Sequence, residues 1–115
     1  MRDHTKLKAF ILADDLTLQI YKVTNNFPKE EIYGLTSQIS RAVVSVPSNI
    51  VEGSARESQA EYLRFLEISF ASLRELDYQF SLAVRLNYVE KLEINSTELK
   101  IIGTEKLLSA LLRKR

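Results

Sequence analysis

Residues 58–86, SQAEYLRFLEISFASLRELDYQFSLAVRL, decide the fold of this chain, because the whole stretch lacks glycine and proline. Its apolar residues recur three and four positions apart, which is the spacing of one face of an α-helix. Ser58 is followed three positions later by Glu61, a capping box that satisfies free N–H groups at a helix start. We therefore predict a long helix from Ser58 to Leu86. Its core face consists of Tyr62, Phe65, Leu66, Ser69, Leu73, Leu76, Phe80 and Ala83.

Three further segments show the same helical spacing. One is predicted from Lys6 to Phe27, where the following proline pushes Phe27 out of the α-helical conformation. Another is predicted from Leu35 to Ser54, with a kink at Pro47, which lacks the N–H that a helix interior needs. The last is predicted to begin at a second capping box, over residues 95–98. Its apolar face consists of Leu99, Ile102, Leu108, Leu111 and Leu112.

The first two helices each present one continuous apolar face. On the first helix, this face consists of Ala9, Leu12, Ala13, Leu16, Ile20, Val23 and Phe27. On the second helix, it consists of Leu35, Ile39, Ala42, Val43, Val46, Ile50 and Gly53. Because this second face continues in phase past Pro47, we expect one helix rather than a helix that stops at Val46. A side chain at Gly53 is expected to clash with a neighbouring helix.

The composition favours one soluble domain over residues 1–115. Of these residues, 45% are hydrophobic and 27% are charged, and a domain of this length buries enough surface for a core. Four helices joined by short connections predict an all-α fold, an antiparallel up-down-up-down four-helix bundle. No apolar run approaches the roughly 20 residues of a membrane span, and the polar start MRDHTK lacks a secretory signal. We therefore expect a cytoplasmic protein without membrane contact.

Two of the predicted helices carry a second apolar face. A helix on the outside of a bundle needs only one such face, and monomers rarely leave a large apolar patch in water. We therefore expect the protein to associate with copies of itself. The candidate interface residues are Leu7, Phe10, Ile11, Leu18 and Tyr21 on the first helix, and Ile68, Ala71, Tyr78 and Leu82 on the third.

The sequence lacks the residues that most catalytic and metal sites need. It has no cysteine, and its single histidine, His4, lies in the terminal segment, which leaves no base for a Ser-His-Asp or Cys-His site. Three scattered glycines form no phosphate-binding loop. The acidic pairs at residues 14–15 and 30–31 are adjacent in sequence, so neither pair shares a helical face. We therefore expect no enzymatic activity, no cofactor, no metal and no small-molecule substrate.

A polar strip lies beside the core face of the second helix. Such a strip forms either a structural ridge, which lets a neighbouring helix approach, or a recognition surface. Asn49 is expected to bond the backbone freed at Pro47. Glu52 and Arg56 are four residues apart, in the favourable order for an ion pair. The strip consists of Gln38, Arg41, Ser45, Ser48, Asn49 and Glu52.

The same region carries the motif of a known family. The motif reads YGLTSQI over residues 33–39, then Arg41 and Ala42, then VPSNIVEGSAR over residues 46–56. The matching residues outside this run are Phe27, Pro28, Ser58, Glu61, Phe65, Leu66, Ala71, Ser72, Glu75, Leu76, Leu86, Asn87 and Tyr88. Over about residues 7–90 the chain thereby resembles the bacterial four-helix bundle proteins encoded within intervening sequences of large-subunit ribosomal RNA genes. Within the motif, Pro47, Asn49, Glu52 and Gly53 are assigned structural roles.

The resemblance implies a small bundle that assembles into a ring-like homopentamer and is linked to RNA. A related group, the accessory proteins of diversity-generating retroelements, forms similar pentamers that bind nucleic acid and a reverse transcriptase. We therefore expect a non-catalytic scaffold associated with ribosomal RNA or a ribonucleoprotein. The alternative is an adaptor that binds a partner protein without nucleic acid. The residues expected to contact phosphate are Arg41, Arg56 and Arg64, with help from Arg113, Lys114 and Arg115.

A surface criterion separates these two functions. The chain has 16 basic and 15 acidic residues, for a net charge of +1, so the distribution of charge matters more than its sum. A basic belt on the assembled surface would favour RNA, and an even mixture of charges would favour a partner protein.

Overall fold

The computed structural model describes residues 2–114, which fold into four α-helices and two short 3-10 helices. The α-helices are α1 (Lys8–Thr24), α2 (Leu35–Ser54), α3 (Gln59–Arg85) and α4 (Lys91–Arg113). The 3-10 helices are His4–Lys6 and Lys29–Glu31. Each α-helix packs against the next along the chain, and α4 packs back against α1. The four helices therefore surround one core, which confirms the all-α fold and the four-helix bundle.

One hydrophobic core runs through the bundle. The large side chains that are fully buried come from all four helices: Leu16, Ile20, Val23, Ile39, Val43, Ile50, Leu66, Leu73, Leu76, Phe80, Ile101 and Leu108. Burying each of them contributes roughly 1.5–3 kcal/mol. The predicted core faces of α1, α2 and α3 are confirmed, with only Leu12 and Phe65 partly exposed.

The ends of the first three helices lie close to their predicted positions. α2 spans Leu35–Ser54 as predicted, and α3 begins after Ser58, whose hydroxyl accepts the Glu61 N–H at 3.1 Å. α1 is shorter than the predicted range from Lys6 to Phe27, because a 3-10 helix precedes it and Asn25 caps its end.

A hydroxyl group of α1 lies near the carbonyl oxygen of α2 that Pro47 leaves without its usual helical donor. Pro47 cannot donate to the carbonyl oxygen of Val43, four residues earlier. The Thr17 hydroxyl of α1 lies 3.4 Å from that oxygen while it donates to Ala13 at 2.8 Å. The expectation that Asn49 bonds this freed backbone is wrong. Its amide donates to the Ser45 carbonyl instead, at 2.8 Å, because a side chain reaches back about one turn.

α4 differs most from its predicted form. The helix begins at Lys91, after the N-cap residue Glu90, so residues 95–98 lie inside it and the predicted capping box is wrong. The buried face of α4 consists of Thr97, Ile101, Thr104 and Leu108. Leu99 and Ile102 were predicted for the apolar face of this helix, together with Leu108, but they are exposed. Leu111 and Leu112 are partly buried against the core.

Two threonines occupy the buried face of α4 because their hydroxyl groups have hydrogen-bond partners. The Thr104 hydroxyl donates to the carbonyl oxygen of Lys100 at 2.8 Å. The Gln19 amide of α1 donates to the Thr97 hydroxyl at 3.1 Å. A hydroxyl group that has a hydrogen-bond partner can be buried at little cost in free energy. The face therefore contains polar residues in the sequence although it lies in the interior of the bundle.

None of the helices within residues 2–114 combines the length and the apolarity that crossing a membrane requires.

Candidate functional site

The polar strip of α2 divides into an inner and an outer part. Ser45 and Asn49 are half-buried and bonded to each other at 2.9 Å, and the Ser45 hydroxyl lies 2.8 Å from that of Ser72 on α3. Nearby, the buried Ser69 hydroxyl donates to the carbonyl oxygen of Val46 at 2.8 Å. The inner part is therefore a packing contact between α2 and α3. The outer residues are exposed: Gln38, Arg41, Ser48 and Glu52.

A polar groove of about 520 Å³ lies between α2 and α3. It is lined by Gln38, Arg41, Ala42, Ser45, Ser72, Glu75 and Gln79. Arg41 donates to the Ser37 hydroxyl at 3.0 Å, and Glu75 brings the opposite charge into the same groove. Gln79 is buried, and its side-chain oxygen has no hydrogen-bond partner among residues 2–114. This groove combines both signs of charge with amide groups.

Arg56 is held by contacts within the protein. It forms the predicted ion pair with Glu52, and its guanidinium lies over the Phe65 ring, 4.9 Å from the centroid. Arg2 packs beside it, with its guanidinium 3.9 Å from the Tyr62 ring centroid and a 3.2 Å bond to the Arg56 carbonyl oxygen. Burial raises the pKa of Tyr62 above its ordinary value of 10.0. Arg2 was not predicted, because a stacking partner sixty residues away leaves no local pattern.

Among the residues predicted to contact phosphate, Arg41 lies well apart from Arg56. Arg41 and Arg56 are fifteen residues apart, which corresponds to about 22 Å along a helix axis. Arg64 is exposed on α3, whereas Arg113 and Lys114 are exposed at the end of α4. Arg115 lies outside the described residues.

A different basic cluster forms where the start of α1 meets the end of α4. A hollow of about 210 Å³ is lined there by Lys6, Leu7, Lys8, Ala9, Leu107, Ala110, Leu111 and Lys114. The lining includes three lysines and no acidic residue. Lys6 and Lys8 were not predicted as site residues, because their proximity to Lys114 arises only from the antiparallel packing of the two helices. We call this feature the basic hollow.

The outer faces of the helices expose many large apolar side chains. Six of the nine predicted interface residues are exposed: Ile11, Leu18, Tyr21, Ile68, Ala71 and Tyr78. The other three, Leu7, Phe10 and Leu82, pack partly against the core of their own bundle, and the His4 ring covers Phe10 at a centroid distance of 4.8 Å. These three residues therefore lie only partly on the outer face, and their place in an interface stays a prediction.

The structure adds apolar side chains that were not predicted for an outer face. They are Val44 and Val51 on α2 and Leu92, Leu99 and Ile102 on α4. On α4 the exposed fractions reach 90% for Leu92 and 69% for Leu99, compared with 68% for Leu18 on α1. α1 and α4 are neighbours, so two adjacent helices both present apolar residues to solvent.

A hydrogen-bonded pair lies at the opposite end of the bundle from the basic hollow. The Glu31 carboxylate accepts the Leu35 N–H at 3.0 Å and the Tyr88 hydroxyl at 2.9 Å. Both bonds lower the pKa of Glu31 below its ordinary value of 4.5, and the bond from the Leu35 N–H is the larger cause. The bond to Glu31 raises the pKa of Tyr88 above 10.0. The Glu31 carboxylate thereby caps the start of α2.

Within residues 2–114, no group of three or more His, Asp and Glu side chains is arranged to hold a metal ion. The larger hollows lie open on the surface between helices. The described part of the chain is therefore a bundle whose distinctive features are on its outer faces and at its ends.

These features define an all-α four-helix bundle protein. The chain belongs to the 23S rRNA-intervening sequence protein family, whose model matches residues 5–110. It is also similar to a crystal structure of a protein with unknown function from the S23 ribosomal protein family of Bacteroides thetaiotaomicron. That match has a TM-score of 0.80 and 22% sequence identity, and covers 90% of this chain and 97% of the other, so it supports the fold. No curated protein matches the chain significantly.

Proposed function

We propose that this protein is a non-catalytic scaffold that works as a homo-oligomer and binds RNA. The observation behind the oligomer is the set of large apolar side chains exposed on α1 and α4. Leu18 and Leu99 each expose about two-thirds of their surface, and the core beneath them is already filled by fully buried residues. The protomer therefore cannot cover them itself, whereas a second copy can, with a gain of about 25 cal/mol for each Å² of apolar surface buried.

A charge introduced among the exposed apolar side chains of α1 or α4 tests whether the protein forms an oligomer through them. Leu18→Glu and Leu99→Glu place a carboxylate where we expect apolar contact, so each is expected to lower the assembled mass. Ser81→Glu is the matched control, because it adds the same charge at an exposed position of α3. Analytical ultracentrifugation of the three variants gives the comparison. Unchanged mass in both leucine variants would remove α1 and α4 from the interface.

The RNA part of the proposal draws on two observations. The family is named for its connection with 23S rRNA, and the basic hollow provides three lysines without an acidic neighbour in its lining. Phosphate contacts give affinity that falls steeply with salt, and several copies in one assembly multiply weak contacts. Retention of labelled RNA at about 50 and 200 mM salt tests this part. No retention at the lower concentration would reject it.

A second candidate function is an adaptor that binds a partner protein. The groove between α2 and α3 favours it, because Arg41 and Glu75 present both charges beside the Gln79 side-chain oxygen, which has no partner among residues 2–114. Such a mixture suits a polypeptide better than a phosphate backbone. The substitution Arg41→Glu separates the candidates: loss of a partner protein with RNA retention unchanged would favour the adaptor.

A further inference from the structure

We propose that the basic hollow, formed by Lys6, Lys8 and Lys114, is where the phosphate backbone of RNA contacts this protein. The proposal rests on the RNA part of the proposed function and gives it a location. The phosphate contact is thereby assigned to these lysines rather than to Arg41 and Arg56.

The fold brings the three lysines together from the two ends of the chain. α1 begins at Lys8 and α4 ends at Arg113, and the two helices run antiparallel, so both ends meet at one end of the bundle. The floor of the hollow is aliphatic, formed by Leu7, Ala9, Leu107, Ala110 and Leu111. Lysine stems can lie along such a floor while their ammonium groups stay in water. The charges therefore gather around a concave surface.

These lysines are available to a ligand, unlike several other cations. The ion pairs within residues 2–114 join Arg56 to Glu52, Arg74 to Glu105, and Lys100 to Asp15. None of them involves a lysine of the basic hollow. Among the described residues, Lys6, Lys8 and Lys114 thus form none of these ion pairs.

Two of these three lysines occupy positions where the helix dipole does not favour a positive charge. Lys114 follows the last turn of α4, where a cation is favoured by the helix dipole. Lys6 and Lys8 flank the start of α1, where the dipole disfavours a cation, and the first turn contains no acidic residue. Three like charges around one hollow also repel one another. A phosphate group in the hollow would relieve both effects.

The chemistry of the hollow fits a phosphate backbone rather than a base. Lysine ammonium groups act as point charges and lack the planar donor pair with which arginine reads a base edge. No aromatic ring lines the hollow, so bases have no stacking platform there. We therefore expect binding that depends strongly on salt and little on RNA sequence.

Two triple variants with the same loss of charge test the location. The test variant carries Lys6→Gln, Lys8→Gln and Lys114→Gln. The control carries Lys22→Gln, Lys29→Gln and Lys91→Gln, three exposed lysines at the opposite end of the bundle. The probe is a labelled uridine homopolymer, titrated with each protein between about 50 and 200 mM salt. Assembled mass and thermal midpoint are measured alongside, so that loss of folding is recognised.

We expect the test variant to bind at least about tenfold more weakly and to lower the log–log salt slope by about 2, since each lost contact to a single strand removes about 0.7. The control should bind like the wild type, and replacing the same three hollow lysines by arginine should preserve binding. Free inorganic phosphate should compete only weakly, because a single free group lacks the linked contacts that an RNA chain makes with several copies of the protein.

The contradicting outcomes are distinct from one another. Equal weakening by both triple variants would show that overall charge, and not the hollow, binds RNA. Unchanged binding by the test variant would overturn the location and leave the RNA role standing. Displacement of the RNA by polyglutamate at equal charge concentration would assign the hollow to an acidic polypeptide. A wild type that does not bind at the lower salt would reject the RNA role together with this site.

Discussion

A Cβ atom placed on Gly53 of α2 would lie 2.8 Å from the Cβ of Phe65 on α3 and 3.2 Å from the Tyr62 carbonyl oxygen. Real Cβ atoms do not approach one another this closely, so α2 and α3 reach their observed separation only because residue 53 has no side chain. The sequence-based expectation that Gly53 faces a neighbouring helix is confirmed. The same pair of helices also shares the hydroxyl contact between Ser45 and Ser72.

Gly53→Ala is expected to lower the free energy of unfolding by roughly 1–3 kcal/mol, because the new methyl group overpacks the contact with α3. Gly103→Ala is the matched control. There the new Cβ meets the end of the flexible Leu12 side chain, at 2.8 Å from Cδ2, and alanine favours a helix over glycine by about 1 kcal/mol. Urea titration of both variants measures the difference. A Gly53→Ala midpoint equal to that of Gly103→Ala would contradict the close contact.

Ser69→Ala is expected to destabilise the bundle by about 1 kcal/mol, which is the usual net contribution of a buried hydrogen bond. The Ser69 hydroxyl is fully buried and donates to the carbonyl oxygen of Val46, next to Pro47 in α2. Ser81→Ala, on the exposed side of the same helix, provides the control and should change little. Equal thermal midpoints for the two variants would mean that the Ser69 bond adds nothing to stability.

The pair formed by Glu31 and Tyr88 predicts how stability depends on pH. Because folding lowers the pKa of Glu31 below 4.5, its contribution is present above pH 4.5 and is lost as the pH falls through the lowered value. Folding raises the pKa of Tyr88 above 10.0, so that contribution is present below pH 10.0 and is lost as the pH rises through the raised value.

Glu31→Gln should therefore lower the thermal midpoint at neutral pH, with the gap to the wild type closing in acid. Tyr88→Phe should keep most of the acid dependence, because the Leu35 N–H is the larger cause of the Glu31 shift. Thermal melts of the three proteins from acid to alkaline pH test this. A constant gap between wild type and Glu31→Gln at every pH would show that the carboxylate charge is not involved.

Much of the fold was predictable from the sequence, because α1, α2 and α3 each bury a continuous apolar face. α4 was not, since Thr97 and Thr104 are interior while Leu99 and Ile102 are exposed. The bond that Gln19 donates to Thr97 joins residues 78 positions apart and leaves no local trace in the sequence.

The candidate sites were harder to predict than the fold. The ion pair of Glu52 and Arg56 follows from helical spacing and was predicted. The basic hollow joins Lys6 and Lys8 to Lys114 across almost the whole chain, so only the packing of α1 against α4 reveals it. The sequence predicted that Leu18 lies on the outer face of α1. The exposed face of α4 could not be predicted, because the sequence alone does not show which side of that helix is buried.

The mass of the protein in solution tests most directly whether the assembled form is the functional unit. Light scattering coupled to size-exclusion chromatography at micromolar concentration should give a multiple of the 13.2 kDa chain mass, and five copies if the number implied by the family resemblance holds. A dimer or tetramer would contradict the number only. A monomer that stays at 13.2 kDa, with Leu18 and Leu99 open to solvent, would contradict the scaffold account itself.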